Sequence, residues 1–247
     1  MRGLWKLTLM EAKLFLREPF AAFFTLAFPL MMLFIFGSIY GNEPTPFFNG
    51  RGSVDVSVPR YMAMIIASVG MLSIANTLSV YRERGVLRRY RATPLRPQTI
   101  LTATVLVNFT MTALGIVLLI IAAKMIYNLH FDGNPLAVLA GFVLACLSFF
   151  SLGFVIAGLA PTARVAQVVG MVIFYPMLFL SGAGFPREAF PETIRSLSKF
   201  LPLTHVVTLL EGLWFGDLWS HHLTEVVVLG GMLIVGVVVA TRTFRWE

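Results

Sequence analysis

The sequence has few charged residues, which make up only 13% of its 247 positions, whereas soluble globular proteins carry about 25%. The charged and polar residues that are present fall in short clusters between long apolar runs. A large soluble core would instead require amphipathic periodicity along its helices and strands. The pattern therefore argues against a soluble globular fold and predicts a bundle of membrane-spanning helices.

Residues for disulfide, metal and nucleotide chemistry are also missing. The single cysteine, Cys146, lies in an apolar run and has no partner for a disulfide, so we expect a packing role. His205, His221 and His222 lack a companion acid at ligand spacing, and no metal site is predicted. ATP binding needs a Gly-x-x-x-x-Gly-Lys-Ser/Thr loop, but the sequence has no Gly-Lys dipeptide. We therefore expect a chain that is not an enzyme and holds no cofactor.

Six apolar segments are long enough to cross roughly 30 Å of hydrocarbon as helices. They are predicted at Phe20–Tyr40, Arg60–Val80, Ile100–Tyr127, Pro135–Ala160, Val165–Gly184 and Leu223–Thr241. The predicted fold class is an all-α membrane protein with six transmembrane helices. The first run follows an acid-containing segment and is too long for the core of a signal peptide, so we expect a retained span.

The positive charge is distributed asymmetrically between the two sides of these spans. The net charge of +7 could indicate nucleic-acid binding, but thirteen of the 19 lysines and arginines fall in alternate segments between the spans. These segments are 1–19, 81–99, 161–164 and 242–247. Because basic residues accumulate on the cytoplasmic side, we expect both termini in the cytoplasm, a cell-membrane location and no nucleic-acid partner. The other six basic residues, among them Arg60, are assigned to the outer loops.

The first 19 residues form a separate segment ahead of the first span. Leu7, Met10, Leu14 and Arg17 recur at helical spacing, and Pro19 ends the pattern. The spacing predicts an amphipathic helix lying along the inner leaflet of the membrane. An ordinary positively charged flank is the alternative.

The stretch between the second and third spans carries the most informative pattern. Residues 81–97 contain six arginines and a single acid, Glu83, with apolar residues interspersed. A positively charged loop needs only a few basic residues. This segment also contains the apolar residues Val86, Leu87, Tyr90 and Leu95 and the prolines Pro94 and Pro97, which a simple charged loop does not require. They predict a short, stiff amphipathic helix suited to a groove in a cytoplasmic partner.

Two blocks of the sequence resemble the permeases of the type-2 ATP-binding-cassette (ABC-2) exporter family. ERGVLRRYRATPLRP at 83–97 is similar to the first cytoplasmic loop of that family, with Val86 where threonine is common. LSGAGFP at 180–186, Phe190-Pro191 and LPLTHVV at 201–207 resemble the conserved blocks before the last span. Daunorubicin-type drug-resistance permeases look most similar. The resemblance implies one permease domain covering residues 1–247.

This resemblance implies coupling to a separate ATPase subunit, which would bind ATP and Mg²⁺. The family's coupling helix docks on that subunit, and its role transfers to Arg82, Glu83, Arg84, Gly85, Leu87, Arg88, Arg91, Pro94 and Pro97. The loop 81–99 is thus the predicted coupling loop, and the turn 161–164 is a second, smaller contact. We expect Glu83 to pair with Arg84, Arg88 or an arginine of the partner, and to favour a helix N-terminus there. A second copy or related permease is expected to complete the transport path.

The resemblance also assigns the transport path and an outer cap. Path-lining positions are Met71, Asn76, Phe174 and Met177. A re-entrant helical hairpin within an outer region at 184–222 is expected to cap the path, with Gly182, Pro186, Pro191 and Pro202 shaping its short pieces. Because the spans are nearly free of ionisable side chains, a proton-coupled pump is disfavoured. An apolar or amphipathic cargo, such as a drug or lipid-like compound among the membrane lipids, is expected.

Three alternative functions remain open at this stage. Ser181 and His205 superficially offer the nucleophile and base of an intramembrane serine hydrolase. A membrane assembly protein without a transport role would have the same composition. Export of lipid-linked polysaccharide is found in the same family and would leave the same motifs.

Overall fold

The computed structural model of the protein describes residues 22–48, 50–86 and 97–243. Six helices in this part of the chain are long and apolar enough to cross a membrane. They are Phe23–Tyr40, Ser53–Glu83, Leu101–Tyr127, Pro135–Leu159, Ala163–Leu180 and Trp219–Thr243. The six predicted spans are therefore confirmed. The predicted interfacial helix at 1–19 lies outside the described residues.

The spans are built from regular α-helices with two π-helical segments. The α-helices are α1 (Phe28–Tyr40), α2 (Ser53–Ser68), α3 (Ala75–Glu83), α4 (Pro97–Tyr127), α5 (Pro135–Leu159), α6 (Ala163–Leu180), α7 (Glu192–Ser198), α8 (Pro202–Trp214) and α9 (Leu223–Thr243). The π-helical segment Phe23–Ala27 precedes α1, and Val69–Ile74 joins α2 to α3 in one span. A short antiparallel hairpin pairs β1 (Pro44–Thr45) with β2 (Arg51–Gly52).

Local sequence signals explain where several helices begin and end. Pro135 begins α5, where its missing N–H costs nothing, and Asn134 Oδ1 accepts a 2.9 Å hydrogen bond from Leu136 N. Thr162 caps α6 in the same way, accepting from Val165 N at 3.3 Å. Gly41 ends α1 at a φ of 64°, a conformation that favours glycine.

The second span lies at the centre of the bundle, and close backbone contacts surround its π-helical segment. A Cβ atom on Gly70 would stand 2.6 Å from the carbonyl oxygen of Phe149 in α5, and one on Gly153 would meet the carbonyl of Gly70. A Cβ on Gly170 of α6 would stand 2.6 Å from the carbonyl of Met71. Small residues thus let α5 and α6 pack directly on the second span.

A polar cluster ties together the loops at the β-hairpin end of the bundle. Asn42 Oδ1 accepts hydrogen bonds from the N–H groups of Val54 and Asp55, at 3.1 and 3.0 Å, and so caps α2. The Asp55 carboxylate accepts from Asn42 Nδ2 at 2.9 Å and from His130 N at 2.8 Å. This end is called the hairpin end below. The opposite end, which carries Arg82 and Arg242, is called the basic end.

Candidate functional site

Arg82, in the last turn of α3, binds the end of α5. Its Nη1 donates a 2.8 Å hydrogen bond to the carbonyl of Ala157, and its Nη2 donates to the carbonyl of Ala160. The last four carbonyls of a helix have no partner within that helix. A guanidinium placed there satisfies two of them and complements the partial negative charge at the helix C-terminus.

Glu83 contacts the start of the next helix. Its Oε2 accepts a 3.2 Å hydrogen bond from the N–H of Ala163, the first residue of α6. A carboxylate is favourable there, because the first N–H groups of a helix are unpaired and carry partial positive charge. Glu83 thus contacts a helix N-terminus in the described residues. Its pairing with an arginine stays a prediction, because Arg88 lies outside the described residues.

Arg82 and Glu83 together join two segments of the basic end that are about 75 residues apart in sequence. The short turn between α5 and α6 lies between the two helix ends that this pair holds. We refer to Arg82, Glu83 and the turn 160–163 as the junction. The sequence predicted both parts of the junction as separate contacts for a partner, and the structure brings them together.

Gly85 ends the helix that carries this pair. Its φ is 64°, its N–H donates to the carbonyl of Arg82 at 3.0 Å, and a Cβ atom at this position would meet nothing within 4 Å. The backbone conformation therefore favours glycine, whereas the space around this position within the chain does not require it. Arg84 is exposed. Leu87, Arg88, Arg91 and Pro94 lie outside the described residues, and Pro97 begins α4.

The four predicted path residues do not share one surface in the described conformation. Met71, Phe174 and Met177 are buried within the chain, and Asn76 is half-buried. Phe174 packs edge-to-face on Phe24, with ring centroids 5.9 Å apart, and therefore acts as a core residue in this conformation. Met71 and Met177 do border an apolar groove of about 450 Å³. Their role in transport stays a prediction.

The residues predicted to shape the outer hairpin lie at element boundaries. Gly182 has a φ of 94°, Pro186 and Pro191 each precede a short helix, and Pro202 begins α8. Helix α8 is buried against α2, α9 and α5. The proline-punctuated order of short helices follows the sequence prediction, while their depth in a membrane stays a prediction.

An ion pair that was not predicted from the sequence joins α2 to α8. Arg60 Nε donates to Glu211 Oε2 at 3.1 Å, and Nη2 donates to Oε1 at 3.2 Å, in a fork geometry. Only 5% of the Arg60 side chain and 19% of the Glu211 side chain are exposed. Arg60 lies within α2 and not in a loop, because this helix starts at Ser53, while its position on the outer side of the membrane stays a prediction. Val54, Val56 and Val58 alternate with polar residues, and because a period of two does not indicate a helix, this earlier start could not be predicted from the pattern.

The pair considered for a serine hydrolase is not connected in the described part of the chain. Ser181 Oγ accepts a 3.2 Å hydrogen bond from Ala183 N and is fully buried. His205 Nδ1 lies 4.0 Å from Glu225 Oε1. Each group thus has a different partner, and a nucleophile activated by an adjacent base needs the two side chains within hydrogen-bond reach.

Comparison with known proteins adds evidence from the sequence as a whole. The sequence model of a protein family described as "ABC-2 type transporter" matches residues 2–215. The chain is 24% identical over 191 residues to the "Inner membrane transport permease YhhJ" of Escherichia coli (strain K12), covering 72% of this chain and 50% of that protein. The chain thus spans about half the length of that relative.

Two further relatives are similar to parts of this chain in sequence. "Nodulation protein J" of Rhizobium leguminosarum bv. viciae is 33% identical over 99 residues, which cover 40% of this chain and 38% of that protein. The "Putative transport permease ycf38" of Porphyra purpurea is 21% identical over 222 residues, covering 87% of this chain and 75% of that protein.

Proposed function

The chain belongs to the ABC-2 type transporter family, and on that premise we propose that it is the membrane permease of an ATP-driven exporter. It is a multi-pass transport permease, and this family normally works with an ATPase subunit. In our proposal the ATPase is a separate chain that binds ATP and Mg²⁺. A second permease copy, identical or related, completes the path across the cell membrane.

We further propose that the basic end faces the cytoplasm, with both chain termini on that side. This orientation follows from the excess of lysine and arginine in segments 1–19, 81–99, 161–164 and 242–247. The cargo is an apolar or amphipathic compound, either drug-like or lipid-like. Apart from Arg60, which is paired with Glu211, the charged side chains of the described spans lie near the helix ends, which leaves few groups that could recognise a small charged solute.

The observation that carries the proposed coupling is the double contact made by Arg82 and Glu83. The residues that follow this pair belong to the predicted docking loop. The side chains of Arg82 and Glu83 themselves bind the facing ends of α5 and α6. A displacement of the loop by an ATPase would therefore be transmitted to two spans at once. A solvated positive flank would need neither contact.

The test uses the Glu83→Ala variant, co-expressed with a candidate ATPase that has a phosphate-binding loop. A carboxylate at a helix N-terminus typically stabilises by only about 0.3–1 kcal/mol, so we expect near-normal membrane levels. The proposal expects weaker co-purification of the ATPase and loss of cargo-stimulated ATP hydrolysis. Glu192→Ala is the matched control, because it removes an exposed acid from the first turn of α7 at the opposite end.

Three outcomes are informative. Normal levels with lost coupling in Glu83→Ala, and normal coupling in Glu192→Ala, support the proposal. Normal coupling and export in both variants would reduce the loop to a positively charged flank. If no ATPase with a phosphate-binding loop co-purifies with the unmodified chain, the exporter proposal itself is wrong.

A further inference from the structure

A basic cavity lies at the inner ends of three spans, beside the junction. Its volume is about 550 Å³, and it is lined by Arg82 from the second span, the 158–161 segment that ends the fourth, and Arg242 and Thr243 from the sixth. Among the described residues, this lining contains two guanidinium groups and no carboxylate. The carboxylate of the neighbouring Glu83 accepts a hydrogen bond from Ala163 N. The two positive side chains outweigh the partial negative charge at the end of α5, which is about half an elementary charge, so the cavity favours an anion.

An apolar groove adjoins this cavity. The groove has a volume of about 450 Å³ and shares three lining residues with the basic cavity: Leu159, Ala160 and Pro161. One wall is formed by α5, and the facing wall by Val165, Val169, Ile173 and Met177 of α6. These four residues recur at every fourth position, which places them on one face of the helix.

The length of the groove matches one leaflet of a bilayer. Val165 and Met177 are twelve positions apart in α6. At a rise of 1.5 Å per residue, this distance along the helix is about 18 Å. The hydrocarbon core of a bilayer is about 30 Å thick, so one leaflet accounts for about 15 Å. A cationic compartment at headgroup level thus continues into an apolar groove as long as a single acyl chain.

From this continuity we propose that the basic cavity and the groove form one binding site for an anionic phospholipid of the inner leaflet. The phosphate lies between Arg82 and Arg242, and one acyl chain lies along the Val169 face of α6. Basic pockets between transmembrane helices on the cytoplasmic side suit anionic headgroups, which are concentrated in that leaflet. The assignment to the inner leaflet rests on the proposed orientation.

This site gives the lipid a structural effect on the junction. Arg82 already donates to the last carbonyls of α5 through two of its five N–H groups. A phosphate bound to the remaining face of the guanidinium fixes the arginine in that position. The bound lipid therefore stabilises the turn between α5 and α6, and removal of anionic lipid loosens it.

The experiment measures lipid binding to the purified permease alone, so its result does not depend on an ATPase. Native mass spectrometry counts bound phosphatidylglycerol and bound phosphatidylcholine of the same chain length, and a thermal shift is recorded with each. We expect retention of one phosphatidylglycerol and a raised unfolding midpoint, and neither with phosphatidylcholine. Arg242→Gln should weaken phosphatidylglycerol binding about fivefold, as expected for the loss of one cation near an anionic headgroup.

Matched variants separate this site from general effects. Arg164→Gln removes an exposed charge from the same end of the bundle but outside the cavity, and should leave binding unchanged. Val169→Trp fills the groove and should weaken binding. Val172→Trp places the same side chain on the same helix, at a position 65% exposed and outside the groove, and should have no effect.

The proposal is overturned if Arg242→Gln and Arg164→Gln weaken binding equally, since general surface charge would then suffice. It is also overturned if inorganic phosphate produces the same thermal shift, which would indicate a free-anion site. A Val169→Trp variant that alters dimerisation and leaves lipid binding intact would assign the groove to a second copy of the chain. Unchanged phosphatidylglycerol binding in Arg242→Gln would exclude this arginine from the site and would also overturn the proposal.

Discussion

Arg60 and Arg82 belong to the same span, yet their charges are neutralised in different ways. Arg60 forms a forked ion pair with a side chain of α8, whereas Arg82 donates to backbone carbonyls at the end of α5. Removal of one partner of a buried ion pair strongly destabilises the folded protein, because the other charge stays buried without compensation. Helix-end contacts are worth much less, typically 0.3–1 kcal/mol. The two arginines should therefore differ in their effect on stability.

The Arg60–Glu211 pair should be the most sensitive polar contact of the described hairpin end. We predict that Arg60→Met destabilises the protein by about 3–5 kcal/mol, because Glu211 stays buried without its partner. The double variant Arg60→Met/Glu211→Leu should recover much of this loss. Thermal unfolding of the detergent-purified variants in a double-mutant cycle measures the coupling between the two side chains.

A conservative exchange provides the control for this cycle. Arg60→Lys keeps the charge but loses the fork geometry that matches a carboxylate, and should fall between the wild type and Arg60→Met. If the double variant loses the sum of the two single losses, the side chains do not interact energetically. The pair would then be incidental to stability.

At the scale of helices, close packing around the π-helical segment Val69–Ile74 relies on one glycine within the segment and two glycines in the helices that face it. Three backbone contacts, made by Gly70, Gly153 and Gly170, surround this segment. The sequence could predict that small residues permit close packing of spans. It could not tell which glycines do so, because this depends on how α5 and α6 are rotated about their axes.

We predict that Gly70→Ala destabilises the bundle by about 1–3 kcal/mol, since the added methyl group would stand 2.6 Å from the carbonyl of Phe149. Backbone cannot move aside as a flexible side chain can. Gly231→Ala in α9 is the matched control, because its Cβ would meet nothing within 4 Å. Unfolding midpoints of the two variants should differ, and equal midpoints would contradict the packing argument.

Gly85 lies at the boundary between the second span and the predicted docking helix. Because its φ of 64° disfavours most side chains, a loss of function in Gly85→Trp alone would not reveal a close partner. Asparagine tolerates this conformation better than other residues. We predict that Gly85→Asn retains membrane level and ATPase binding, whereas Gly85→Trp retains level but loses binding.

Gly85→Ala completes that comparison, since it adds backbone strain with minimal volume. An effect of alanine as large as that of tryptophan, measured as ATPase co-purification at equal membrane level, would assign the role of Gly85 to its backbone conformation. A graded loss with side-chain size supports a docking surface that approaches Gly85 closely.

For the whole molecule, hydropathy and the family motifs were sufficient to predict six spans and their order. The spans are long and apolar, and each is separated from the next by charged or proline-containing residues. What could not be predicted is pairing across long sequence separations, such as Arg60 with Glu211 or Glu83 with Ala163. Charge and spacing identify residues that need a partner, but only the fold determines which helix end or side chain is near.

The orientation of the bundle gives the last prediction. In a Cys146→Ser background, Phe47→Cys and Leu197→Cys should react with a membrane-impermeant thiol reagent in intact cells, because both positions are exposed at the hairpin end. Arg164→Cys and Arg91→Cys should react only after the membrane is permeabilised. Cys146 is fully buried, so its replacement removes background without exposing a new surface. Labelling of Arg164→Cys in intact cells, with Phe47→Cys protected, would invert the topology and place the predicted coupling loop outside the cell.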